Sequence, residues 1–468
     1  MIALLTPEIV HSFGQGHWLR ERNSNIKLSD LAWKVQDTLS SSILFFKTTK
    51  NNEILNLLTH LKPSNVGIVI VDNKMLGSFI QSEIPVYVCS SSSWLRLQKL
   101  CADKLYPIKK DIQFAGITGT NGKTSTTHFL TQILMQQNRN VLSLGTLGVF
   151  FNGKKIYDFS LTSPSYIDFR KVLHQFSTEE SYVVFEMSSH ALDQGRYFEI
   201  PLTTAGWTSF SQDHLDYHGT MDQYFMAKEK ILLQLNHDGN LYLPHGQQEI
   251  YQKIRSDNRV KMCSSWNDHY FECENNLFKA SFAKDNFIVA YEMAKSLLRQ
   301  EKIIIDFKII TNAPGRWMLK TFNSRVVIID YAHTPDALEN VCQNAKQAYA
   351  QCTLKVLFGC GGDRDKSKRP LMGKAVSQFA DYIYLTSDNP RTEDPEIIID
   401  HIVPGITKEY FRCSDREVCL MKALKELGPN EVLIVAGKGH EDYIIKGTIK
   451  YPYSDELVCN NFIASRLQ

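Results

Sequence analysis

Residues 116–124 read Gly-Ile-Thr-Gly-Thr-Asn-Gly-Lys-Thr and lie between a strand-length apolar run and a helical pattern. The run is Ile112 to Ile117; the pattern is Phe129, Leu130, Ile133 and Leu134, which recur at helical spacing. A Gly-rich turn ending in Lys-Thr at a helix start is a phosphate cradle. Glycines let backbone N–H groups approach phosphate oxygens, and the helix N-terminus adds positive potential. In this cradle Gly119, Thr120, Asn121, Gly122 and Ser125 would surround the phosphates of ATP, Lys123 would reach the β- and γ-phosphates, and the Thr124 hydroxyl could ligate Mg²⁺. Five positions rather than four separate Gly116 from Gly122, one more than the usual phosphate loop. A strand–loop–helix of this kind calls for a parallel sheet with covering helices.

The 468 residues suffice for about three domains at ~150 residues each. No apolar run approaches the ~18 residues of a membrane span. The opening Met-Ile-Ala-Leu-Leu-Thr-Pro lacks the basic segment of a signal peptide. Fifty-two basic and 50 acidic residues leave a net charge of +2, which argues against a nucleic-acid or membrane partner. None of the ten cysteines forms a Cys-x-x-Cys pair, so a reduced, cytoplasmic setting explains them better than disulfides or structural zinc. Three compositional zones appear, at 1–110, 111–312 and 313–468. In the last, apolar runs at Val326–Asp330, Leu354–Gly359, Tyr382–Thr386 and Glu431–Ala436 alternate with helical patterns, which predicts a Rossmann-like unit.

Several clusters outside the loop carry chemistry. Glu186, in Val-Phe-Glu-Met-Ser-Ser-His, ends a buried strand, where ligands gather in open α/β sheets, and could hold a Mg²⁺ that bridges phosphates. Asp213-His214-Leu215-Asp216-Tyr217-His218-Gly219 is too rich in ligating side chains for an ordinary loop; zinc is conceivable, but no cysteine or further histidine stands at matching spacing. Asp330 closes a strand before Pro335 at a helix start, suited to a ribose hydroxyl or a phosphate-linked water. Arg364 follows one strand, Asp388-Asn389-Pro390-Arg391 a second, and Gly437-Lys438-Gly439-His440-Glu441 a third, so all would face one crevice. Two guanidinium groups suit a carboxylate, Asn389 offers a donor and an acceptor, and Glu441 suits an ammonium. A ligand with carboxylate and ammonium at one end and a reacting amine at the other is a diamino acid.

Gly-Thr-Asn-Gly-Lys-Thr, Glu-x-Ser-Ser-His, Asp-His-Leu-Asp-Tyr-His-Gly, Tyr-x-x-Ala-Lys and Asp-Tyr-Ala-His-Thr-Pro-Asp-Ala-Leu together resemble the Mur ligase family. These ATP-dependent enzymes join an amino acid to a carboxylate. The resemblance runs from about residue 112 to 456. It implies an α/β fold of three domains, with a central P-loop ATPase-like parallel sheet and a C-terminal Rossmann-like domain. It implies that Glu186 and His214 ligate Mg²⁺, that Lys228 is carbamylated and helps hold a second Mg²⁺, and that Asn286, Arg316 and Asp330 contact ATP. Thr162, Ser163, Ser188, Gln194 and Arg196 would meet a nucleotide-sugar substrate. Asp-Asn-Pro-Arg marks the subgroup that adds meso-diaminopimelate to UDP-MurNAc-L-Ala-D-Glu in peptidoglycan synthesis; there the residues matching Arg364, Asp388, Asn389, Pro390, Arg391, Gly437 and Glu441 form the diaminopimelate site. A monomer is expected.

The first zone departs from that pattern. Members normally carry an Asp-Ser-Arg turn before a Gly-x-Leu-Phe-x-Ala strand; only Ser40 to Phe46 remains of it here. Leu161-Thr162-Ser163 replaces Asn-Thr-Thr, and Val289 stands where a second adenine-side asparagine would be. Two further readings therefore stay open: a paralogue acting on a different carboxylate acceptor, and an inactive nucleotide-binding scaffold. ADP release with each candidate acceptor separates the three.

Overall fold

The structure is a computed structural model that describes residues 4–467 except 21–25, 49–50, 63, 65, 76–78, 80–82, 160, 270, 272 and 274. Three sheets organise these residues. The first contains β1 (Gly16–Arg20), β2 (Asp30–Ala32), β3 (Ser42–Phe46), β4 (Ile68–Asp72) and β5 (Val86–Cys89) in the order β1-β5-β4-β3-β2, with only β1 antiparallel. The Ser40–Phe46 remnant thus becomes β3, whose residues Ser42 to Phe45 are buried.

The second sheet holds β6 (Gln113–Thr118), β7 (Val141–Gly145), β8 (Gly148–Phe151), β9 (Lys154–Tyr157), β10 (Tyr182–Glu186), β11 (Leu202–Trp207), β12 (Leu235–Leu243) and β13 (Val260–Met262). Their order is β13-β12-β11-β6-β10-β7-β8-β9. From β13 to β7 the pairing is parallel, while β8 and β9 extend the sheet as an antiparallel meander that an all-parallel expectation misses. β6 lies inside the sheet, between β10 and β11. Over one face lie the helices Lys123–Gln136 and Ser281–Leu298, where Phe129, Leu130 and Ile133 share a core with Phe287, Ala290 and Met293. Val289 also belongs to this core, fully buried, so an asparagine there would carry an amide into apolar packing.

The third sheet comprises β14 (Met318–Phe322), β15 (Arg325–Asp330), β16 (Thr353–Phe358), β17 (Tyr382–Thr386), β18 (Tyr410–Cys413) and β19 (Glu431–Ala436), ordered β14-β15-β19-β16-β17-β18. β14 is an antiparallel edge and the rest are parallel. The four neighbours β15, β19, β16 and β17 therefore end on the same side, which brings Asp330 and the loops after residues 358, 386 and 436 together.

Polar contacts join the three units. Arg170, on the helix Tyr166–Phe176, bonds Asp103, the Tyr106 carbonyl and the Tyr166 hydroxyl, and the Trp33 indole N–H donates to Asp168, so the first sheet's unit is fixed to the second's. Asn121 and Ser211 both donate to Asp336 (2.7 and 2.9 Å), and Lys368 pairs with Asp213 at 2.6 Å. These bonds hold the phosphate loop against the third sheet's unit.

Candidate active site

The phosphate loop runs from Gly119 to Gly122, between β6 and its helix. Gly122 caps the helix at φ +86°, a left-handed conformation, and a Cβ there would collide with the Asn286 amide. No side chain caps this helix, so its first-turn N–H groups remain for a ligand. Lys123 folds back over the loop, donating to the carbonyls of Gly119 (2.8 Å) and Thr120 (2.9 Å). Burial lowers its pKa, Glu186 and Asp213 counter that, and Arg316 adds to it; Lys123 is thus the point around which these charges gather.

Asn121, Gly122, Ser125, Asn286, Arg316 and Asp330 line one cavity of about 180 Å³, joined by Asp336 and Phe282. Arg316 lies over the Tyr331 ring, 4.6 Å from its centroid, and its buried Nε has no hydrogen-bond partner. An orphaned guanidinium N–H beside a glycine cradle fits an anionic nucleotide. Asp330 is less free than its strand-end position suggests. Its oxygens accept the N–H groups of Trp317 (2.7 Å) and Ala332 (2.8 Å), so it clamps its own turn while lining the cavity. Burial raises its pKa against Arg316 and those two N–H groups.

Glu186 is 1% exposed, and among the described residues its carboxylate accepts only from Thr146, through N–H (2.9 Å) and hydroxyl (3.1 Å). No cation pairs with it among the described residues, which leaves lone pairs for a metal. The His214 imidazole is pushed down to about 4 by burial, His190 and Lys123, against Asp213, so it is neutral near pH 7 and able to ligate. Lys228, 1% exposed on the helix Met221–Glu229, sits 4.7 Å over the Tyr224 ring; among the described residues no carboxylate forms an ion pair with it, and the Asp213 charge acts on it only from a distance. Burial and Lys123 drive its pKa well below the usual lysine range. A neutral buried amine is the form that takes up CO₂. The chemistry of Thr124, Glu186, His214 and a carbamate on Lys228 would suit Mg²⁺, but among the described residues no three His, Cys, Asp or Glu side chains gather as a metal site, and Thr124 and Glu186 line one cavity and His214 another.

Ser163 ties the neighbouring polar cluster together. Its hydroxyl donates to the Glu186 carbonyl (2.8 Å) and accepts from Ser188 N–H (2.9 Å), and its carbonyl accepts from Arg196 (2.5 Å). Arg196 in turn donates to Gln194, and Thr146 donates to Thr162. All five residues assigned to the nucleotide sugar thus belong to one network beside Glu186, except that the Ser188 hydroxyl also caps the helix Ser189–Asp193.

A second cavity, about 210 Å³, is lined by Arg364, Asp388, Asn389, Arg391, Gly437 and Glu441, with Asp213 and His214 on its opposite wall. Pro390 is not in that lining; its carbonyl packs against Gly362, where a Cβ would not fit. Asn389 differs from its expected two-sided role. Its Oδ1 already accepts from Ile445 N–H (2.9 Å) and Lys438 (3.1 Å), and its Nδ2 donates to Glu441 (2.9 Å), leaving only an N–H for a ligand. Sequence reading assigned no role to Lys438, whose side chain is 0% exposed and pairs with Glu441 at 3.0 Å. The signal was its position between Gly437 (φ +111°) and Gly439 (φ +54°), turns that let a lysine point inward. Thr146 and Asp336 were missed as well: Thr146 lies in no chemically conspicuous run, and Asp336 lies in one but finds its partners Asn121 and Ser211 only in the fold.

A phosphate cradle facing a doubly charged pocket across a crevice is the arrangement of an ATP-dependent ligase. The Mur ligase middle domain matches residues 117–310, and the Mur ligase glutamate ligase domain matches 315–439. UDP-N-acetylmuramoyl-L-alanyl-D-glutamate--2,6-diaminopimelate ligase of Aquifex aeolicus is 35% identical over 411 residues, 82% of this chain and 84% of its own. The protein of that name in Rickettsia typhi is 31% identical over 96% of each chain. A solved structure of a ligase of that name superposes with a TM-score of 0.58 at 23% identity, covering 96% of this chain and 97% of its own. MurF from Acinetobacter baumannii superposes at 0.61 with 14% identity over 99% of each chain, a likeness of fold. The chain belongs to the Mur ligase family. Among the described residues no helix is long and apolar enough to cross a membrane.

Proposed function

We propose that the protein adds meso-diaminopimelate to UDP-MurNAc-L-Ala-D-Glu, a step of peptidoglycan precursor synthesis, working as a monomer of three domains at residues 1–110, 111–312 and 313–468. The observation that carries this reading is the second cavity: Arg364, Arg391 and the free Asn389 N–H for a carboxylate, with Glu441 beside them for an ammonium. The curated relatives named for this reaction support it.

Lys123, the first-turn N–H groups and Arg316 hold the phosphates of ATP, with Asn286 beside Gly122 on the nucleotide side. Ser163, Ser188, Gln194 and Arg196, with Thr162, orient the acceptor so that its D-glutamate carboxylate faces the γ-phosphoryl group. Phosphoryl transfer gives an acyl phosphate and ADP. The diaminopimelate amine then attacks the acyl carbon, loses a proton, and expels inorganic phosphate as the amide forms. Mg²⁺ held by Thr124, Glu186, His214 and a carbamate on Lys228 would screen phosphate charge. Lys123 and Arg316 stabilise the transferring group through fixed positive charge. Phosphate release with ATP, UDP-MurNAc-L-Ala-D-Glu and meso-diaminopimelate tests the reading. Release that requires all three supports it. Release with another acid in place of the acceptor moves the function to a paralogous ligation, and no release under any combination contradicts catalysis.

A further inference from the structure

We infer that Lys438 is a positioning residue that sets the amino-acid preference of the second cavity, an inference that rests on the function proposed above. Three observations meet at its ammonium. It lies 3.1 Å from Asn389 Oδ1, 3.0 Å from Glu441 Oε2 and 3.7 Å from Asp388 Oδ1, with no exposed side-chain surface. Asn389 and Asp388 follow β17, whereas Lys438 and Glu441 follow β19, so the lysine joins loops from two strands that are not neighbours in the sheet.

The first consequence is orientation. An asparagine amide can turn over, exchanging a donor for an acceptor. Here Lys438 and the Ile445 N–H both point at one atom, which must be the oxygen. Asn389 therefore faces the cavity with N–H alone and can meet only an acceptor. The second consequence is charge. Asp388 and Glu441 are two carboxylates beside one cavity, and Lys438 offsets one of them. Glu441 Oε2 is occupied by Lys438 and Asn389, which leaves Oε1 for a ligand ammonium. With Lys438 in place, the pocket presents Arg364, Arg391 and an N–H to a carboxylate, and one remaining carboxylate oxygen to an ammonium. Without it, the Asn389 amide is held only by the Ile445 N–H and Glu441, and Asp388 and Glu441 lose the cation that lies between them. Such a pocket attracts a bare cationic side chain and repels a carboxylate.

The test compares wild type with Lys438→Met, Lys438→Gln and Lys438→Arg, at saturating ATP and acceptor, with meso-diaminopimelate and L-lysine as alternative amines. In the Met and Gln variants the KM for diaminopimelate rises at least about 30-fold, the scale for breaking a buried charge pair. Their kcat stays within about threefold, because Lys438 is remote from the reacting amine. The preference for diaminopimelate over lysine falls by at least about tenfold, and Lys438→Arg recovers part of it. The KM for ATP does not move. Equal losses with both amines, or unchanged selectivity in Lys438→Met, overturn the inference while leaving the function intact. If the Lys438 variants do not fold, Asn389→Asp decides. It keeps both contacts at Oδ1 but replaces the free N–H by an oxygen, so a wild-type KM for diaminopimelate in that variant overturns the inference. Failure of the wild type to use diaminopimelate at all overturns the function and the inference with it.

Discussion

Lys228 and Lys123 are lysines whose proton affinity falls on burial, yet their surroundings assign them different work. Lys123 shares its charge with two carbonyls of the phosphate loop and with nearby Glu186 and Asp213. The two carboxylates favour its charged form against burial. Lys123→Ala should therefore cut ATP turnover by at least ~10²-fold, the scale for removing one preorganised charge from a transition state. Circular dichroism would show the fold kept; turnover above about a tenth of wild type contradicts the assignment. Lys228 has no ion-pair partner among the described residues, and burial and Lys123 favour the neutral amine against the Asp213 charge. We expect intact-mass measurement in bicarbonate to show one added CO₂, lost on acidification because protonated amine cannot carry a carbamate. Lys228→Ala should lose activity and regain part of it with short carboxylic acids. An unmodified, inactive-site lysine in wild type, with Lys228→Ala fully active, contradicts it.

At the scale of elements, the cavities depend on where strands stop and how their loops are tied. Arg416, fully buried at the start of the helix Arg416–Lys425, forms two bonds with Asp455 (2.9 and 2.7 Å) and donates to the carbonyls of Ser387 and Ala436. Those carbonyls are the residues just before Asp388 and Gly437. One guanidinium thus fixes the ends of β17 and β19 and the helix Asp455–Leu467. Asp455→Ala leaves that charge buried without its partner and should cost about 3–5 kcal/mol in the unfolding of this unit, read by urea denaturation. A loss under about 1 kcal/mol contradicts the clamp. The alternation of apolar runs and helical patterns made the third sheet legible in sequence, because parallel strands buried on both faces read as continuous apolar segments. Glu186, Arg391 and Glu441 were legible for the same reason: each follows such a segment. The β8–β9 meander was not, since short half-exposed strands such as Lys154–Tyr157 carry no distinctive pattern. Lys438 and Asp336 escaped because their roles come from partners 49 and 215 residues away in sequence, a relation no local pattern encodes.

Over the whole molecule, chemistry requires the phosphate loop and the amino-acid cavity to face one another, and three side-chain contacts hold them so. Asp336 accepts from Asn121 and Ser211, and Lys368 donates to Asp213. Burial would raise the Asp213 carboxyl, but His214 and Lys368 hold it below the usual range, so it is anionic wherever the enzyme works. Asp336→Ala removes two of these bonds without touching the amino-acid cavity. It should enlarge the radius of gyration of the unliganded protein in X-ray scattering and lower kcat/KM for ATP by about tenfold; unchanged scattering and kinetics would show that closure does not rely on it. The central claim, however, is that the second cavity selects a diamino acid by its second carboxylate. Lysine lacks that group and would leave Arg364 and Arg391 facing a cation. The most direct measurement is the ratio of kcat/KM for meso-diaminopimelate to that for L-lysine in wild type and Arg391→Ala. The account predicts a wild-type ratio of at least ~10², with sites of this kind reaching ~10⁴, and collapse of the ratio in the variant. Comparable efficiencies with the two amines in wild type would contradict it.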